Sequence, residues 1–140
     1  MPTLPIPFPL LAPIVLAAVL AGCGGDESAG GSGTEVSVTA SDAACELDDT
    51  DLPAGDITFA VTNTGDKVTE VYVYGEDDGA FTKVVSEVEN IGPGTGRDMD
   101  VDLAAGTYEI ACKPGQQGDG IRAKVTVTGV GGANATEGEG

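Results

Sequence analysis

The chain is 140 residues long, which suits a single domain, and its 22 Gly with no Trp favour short strands and many turns over a large aromatic core. A formal net charge of −17, carried wholly by residues beyond position 22, disfavours nucleic acid and anionic lipid headgroups as partners. Such a surface attracts cations or maintains solubility at high salt, and most of its carboxylates read as solvated. With no His and no nucleophile elbow, acid–base chemistry would rest on carboxylates alone, so the chain is not expected to be an enzyme.

In chain order, the apolar run Leu10–Gly22 comes first. It falls short of the roughly 20 residues that span a bilayer, and fits the apolar core of a secretion signal. Residues 1–9 hold no Lys or Arg and four Pro, which is atypical of such a signal. The run ends in Leu20-Ala21-Gly22-Cys23, which resembles the bacterial lipobox and implies cleavage before Cys23 and lipid on that cysteine. Residues 23–34 form a Gly/Ser-rich tether. The expected organisation is therefore a signal at 1–22, the tether, a folded domain at 35–128 and a polar tail at 129–140. The expected location is the extracytoplasmic face of the cell membrane, with membrane contact through Cys23.

Glu35–Thr39 alternates in polarity and opens the domain. Ala43–Leu47 contains Cys45, and an acidic turn, Asp48–Asp51, separates it from Leu52–Gly55. Ile57, Phe59 and Val61 share one face of a strand that ends at the turn Asn63-Thr-Gly-Asp66. Lys67–Tyr74 carries β-branched and aromatic residues on both faces, as a central strand would, and Gly75–Gly79 reads as an acidic loop. Periodicity leaves Phe81–Ile91 open between a strand and an irregular crossing segment. Asp98–Leu103 alternates strictly, with Met99, Val101 and Leu103 inward and the aspartates in solvent. Gly106–Cys112 and Ile121–Thr128 form a final antiparallel pair around a turn-rich loop, which aims the Cys112 sulfur at the end of a core. Seven or eight short strands with regular turn signals indicate an all-β sandwich or barrel.

With Cys23 assigned to lipid, Cys45 and Cys112 remain. A disulfide between them would close a 67-residue separation and stabilise the fold by about 4 kcal/mol on the chain-entropy estimate. Alternatively they are thiolates facing a metal beside carboxylates, or two free buried thiols. Thiolates suit copper and carboxylates suit ferric iron, so a mixed site would not select by chemistry alone. Glu70 lies on a strand expected to be buried, where a carboxylate must bind a cation, pair with a base or take up a proton. Glu87 and Glu89 share a face if their segment is extended.

The stretch Gly106-Thr-Tyr-Glu-Ile-Ala-Cys112 with its loop and return strand resembles the copper-loop hairpin of cupredoxins. Cys112 falls on the thiolate position, but the loop His and Met positions hold Gly115 and Gly120, and the earlier-strand His position falls at Thr69-Glu70. A blue-copper site needs two imidazoles, so none is expected. Four features in one order are also similar to the cupredoxin-like domain of EfeO-type iron-uptake lipoproteins. These are Cys45-Glu46, Glu70 on the central strand, Glu87-Val-Glu89-Asn-Ile-Gly-Pro-Gly94, and Cys112 after Gly-x-Tyr. The resemblance implies a Greek-key cupredoxin-like sandwich and a copper or iron ion held by Cys45, Cys112, Glu70, Glu87 and Glu89. It also implies service in iron uptake beside a permease or peroxidase. The competing expectation is a sandwich stapled by Cys45–Cys112 that acts as a structural or interaction domain without metal.

Overall fold

The computed structural model describes residues 33–129; the expected signal, the expected lipid site Cys23, nearly all of the tether and the tail beyond 129 lie outside them. The described chain is all strand and turn. Its nine strands are β1 Thr34–Ala40, β2 Cys45–Leu47, β3 Asp51–Pro53, β4 Gly55–Asn63, β5 Thr69–Asp77, β6 Ala80–Ile91, β7 Gly96–Leu103, β8 Gly106–Pro114 and β9 Ile121–Thr128. They form a four-stranded sheet ordered β2-β1-β4-β7 and a five-stranded sheet ordered β3-β9-β8-β5-β6. The β1–β4 and β3–β9 pairs are parallel and the others antiparallel.

Both sheets face one core. The first contributes Val36, Val38, Ile57, Phe59, Val61, Met99 and Leu103; the second contributes Val71, Val73, Ile110, Cys112, Val125 and Val127. Each set obeys the period-2 rule, because a strand with one covered face buries alternate side chains. Asp98, Asp100 and Asp102 point out of β7 as expected.

Several boundaries differ from the sequence reading. The count rises to nine because β2 and β3 are separate three-residue strands. The acidic loop is shorter than read: Gly75–Asp77 continue β5, and the turn closes at Asp78 and Gly79, both with positive φ. Residues 80–91 are a strand. Its alternation is hidden because its ladder on β5 slips at three places, which leaves neighbours such as Val84 and Val85 both exposed.

Candidate functional site

At the end of the sandwich where β8 runs out, three connections converge. Asn63, 1% exposed, donates from Nδ2 to the carbonyls of Lys67 and Ile91 at 2.8 Å each, while its Oδ1 accepts from Gly65 N at 2.9 Å. Gly115 N donates to Val68 O at 2.7 Å, and Asn90 N donates to Gln116 Oε1 at 2.9 Å. Together these bonds pin the loop after Cys112 to the strands beside it. Cys112 has no exposed surface, and its sulfur is bonded to that of the partly buried Cys45 across a Cα–Cα distance of 5.5 Å. Since β2 belongs to one sheet and β8 to the other, the disulfide staples the two layers together.

The opposite face of the same strands carries a second cluster. Cys112 pairs across the ladder with Val71, so Glu70 and Lys113, which pair with each other, project outward together. Tyr72 and Tyr74 follow Glu70 on that face, with rings stacked at 5.4 Å. The Lys113 ammonium lies 3.9 Å from the Tyr72 ring centroid, donates to Tyr74 Oη at 2.7 Å, and stands 4.0 Å from Glu70 Oε1. Arg122 stacks its guanidinium on Tyr74 at 4.3 Å and donates to Glu109 Oε2 at 3.1 Å and to Phe81 O at 3.0 Å. Lys113, Arg122 and Lys124 thus place three of the chain's six basic residues above aromatic rings on one sheet face.

This outer face is partly closed to water. Glu70 is 8% exposed, and Ala111 is fully covered because the loop returns over it at Gly120, where an added Cβ would sit 3.3 Å from Ala111 Cβ. Burial pushes the Glu70 carboxyl above its ordinary range, Lys113 pulls it back, and the nearby Glu89 and Glu87 push it up again. Burial also raises the Tyr72 phenol, reinforced by the carboxylates of Glu70 and Glu87, so it stays protonated at neutral pH. Its hydroxyl donates to Glu89 Oε1 at 3.3 Å.

The five residues suggested as metal ligands therefore fall into two groups. Cys45 and Cys112 meet in the core and bond to each other, while Glu70, Glu87 and Glu89 gather around Tyr72 on the outside. Among the described residues, no three Cys, Asp or Glu side chains come together as a metal-holding group. Of the partners that a buried Glu70 calls for, the structure supplies the base, Lys113, and a carboxyl that takes up a proton more readily. Sequence reasoning missed Tyr72, Tyr74, Lys113 and Arg122. Their signal was present in strand parity: Glu70, Tyr72 and Tyr74 alternate on β5, and Lys113 directly follows the inward Cys112.

Comparison with known proteins bears on this arrangement. A sequence profile of the cupredoxin-like domain matches residues 13–127. The chain belongs to the cupredoxin-like domain family. Among curated proteins, none matches the sequence. Of solved structures, reduced rusticyanin is similar at 19% identity and a TM-score of 0.54, over 71% of this chain and 81% of that one. A rusticyanin variant gives 19% identity and 0.55, over 71% and 80%. Auracyanin from Roseiflexus castenholzii gives 16% and 0.47, over 69% and 96%. At 19% identity the rusticyanin likeness is one of fold.

Within this cupredoxin-like domain, the donor set does not fit a blue-copper ion. The chain has no imidazole, and the sulfur at the thiolate position is bonded to Cys45. Gly120, which falls on the loop Met position of the resemblance, has φ +83°, and a Cβ there would lie 2.8 Å from Lys113 Cγ and 3.0 Å from the Cys112 carbonyl.

Proposed function

We propose that this chain is a non-enzymatic, disulfide-stapled cupredoxin-like module that serves as a structural or interaction domain on the extracytoplasmic face of the cell membrane, tethered by lipid on Cys23. The observation that carries the reading is the Cys45–Cys112 bond: it occupies the sulfur a copper ion would need and joins the two sheets instead. A disulfide of this kind belongs to an oxidising compartment outside the cytoplasm, which agrees with the secretion signal and lipobox-like Cys23. The test is equilibrium dialysis of the oxidised protein against cupric and ferric ions. Neither ion should be retained stoichiometrically; tight retention of one copper per chain by the oxidised form would defeat the reading.

A second reading rests on the gathering of Glu70, Glu87 and Glu89 on one face. Carboxylates suit a hard cation such as ferric iron, and these are three of the positions that resemble those of EfeO-type iron-uptake domains, though among the described residues they do not meet as a metal-holding group. On this reading the module would hold iron through these carboxylates for a permease or peroxidase partner. Its signature would be ferric uptake by the oxidised protein that disappears in Glu70→Gln and persists in Cys112→Ser.

A further inference from the structure

At the end of β8 remote from Cys112, the side of the sandwich between edge strands β6 and β7 opens into a groove of about 580 Å³. Val84 and Val85 of β6, Asp102 and Leu103 of β7, Glu76 of β5 and Tyr108 of β8 line it. Val84 is 49% and Val85 36% exposed, and they are two of the three large hydrophobic residues exposed among those described. Val85 lies across Gly75, where an added Cβ would meet its Cγ2 at 3.2 Å. Adjacent exposed valines beside an open groove give it an apolar contact surface.

We propose that this seam is the docking surface through which the module works as an interaction domain, an inference that rests on that reading, and that its occupant is an extended, basic segment of a partner protein. An apolar side chain of that segment enters between Val84, Val85 and Tyr108, and its basic side chains lie against Asp102 and Glu76. Charge selects this occupant. Glu76 and Asp102 form the acidic rim of the groove, Asp102 faces Asp56 across the β4–β7 ladder, and Lys83 is the one basic residue lining it. A second copy would bring two such rims together in chains that each carry −17, so self-pairing is opposed and a cationic partner attracted. The three slips in the β5–β6 ladder twist the β6 edge, so recognition is by side chains in the groove and not by a long added strand.

The test is amide shift mapping on the full-length chain with an acetylated peptide of alternating lysine and valine, and with its glutamate–valine counterpart, at about 0.15 M salt to screen distant charges. The basic peptide should shift amides at 83–85 and 102–108, and the acidic one should not. Replacing both valines (Val84→Ser with Val85→Ser), exposed positions that leave the core intact, should weaken binding by about tenfold or more. Asp102→Asn should weaken it severalfold. Three results would overturn the proposal: no binding, shifts spread over the acidic surface and indifferent to the valine replacements, or the same shifts produced by self-association without peptide. Each would leave the metal-dialysis result, and hence the stapled-domain reading, standing or falling separately.

Discussion

Replacing Lys113 by Met tests whether the outer face of the five-stranded sheet is a small second core or an ordinary solvated surface. The substitution keeps the side-chain stem but removes the charge stacked on Tyr72 at 3.9 Å, the donor to Tyr74 Oη and the counter-ion of Glu70. Cation–π contacts contribute about 0.5–2 kcal/mol and a charged hydrogen bond about 1.5–3 kcal/mol, and these overlap rather than add. Removing one member of a buried pair also strands the other. Glu70 and Lys113 side chains are each 11% exposed and their separation is 4.0 Å, so a cost of roughly 2–4 kcal/mol at pH 7 is expected, read from urea unfolding. The pH dependence gives the sign. Glu70 is already raised, and losing Lys113 removes the one group that lowers it. A carboxyl raised in the folded state contributes most below its unfolded value, and that contribution fades as pH rises through the folded one. The deficit of Lys113→Met should therefore shrink as pH falls toward 4, and adding Glu70→Gln should restore much of the loss at pH 7. A deficit under about 0.5 kcal/mol that ignores pH, as exposed charge pairs give, would refute the reasoning.

Three further outcomes follow from the same geometry. Gly120→Ala should destabilise the domain by roughly 1–3 kcal/mol, because φ +83° and contacts at 2.8 and 3.0 Å leave no room for a Cβ; thermal melting reads it. Asn63→Ala should cost about 2–4 kcal/mol by unpairing the Lys67 and Ile91 carbonyls and the Gly65 amide, with hydrogen exchange quickening first in residues 63–69 and 113–116. Raising salt from about 0.05 to 1 M should raise the unfolding midpoint, because a surface of net charge −17 repels itself and screening relieves it; a falling midpoint would contradict that.

What the sequence disclosed depended on how regularly each strand alternates. Asp98–Leu103 and Ile57–Val61 were legible because each has one wet and one dry face. Phe81–Ile91 was not, since an extra residue at each bulge shifts the alternation out of phase. Central β5 read correctly as buried on both sides, yet the reason on the outer side, a lysine and an arginine lying over its tyrosines, required knowing that β8 lies next to it and β9 one strand further on. The cysteines were legible as a pair, but spacing alone does not decide between a disulfide and two metal ligands. Glu70 was legible as a buried carboxylate needing a partner; that it faces away from Cys112 follows from the Val71–Cys112 register, which sequence separation does not fix.

The state of Cys112 is tested most directly by alkylating the denatured protein before and after reduction and mapping the peptides that carry Cys45 and Cys112. Both peptides should be unlabelled and linked before reduction, and each labelled once after it. Free, labelled Cys45 and Cys112 in the unreduced protein would contradict it.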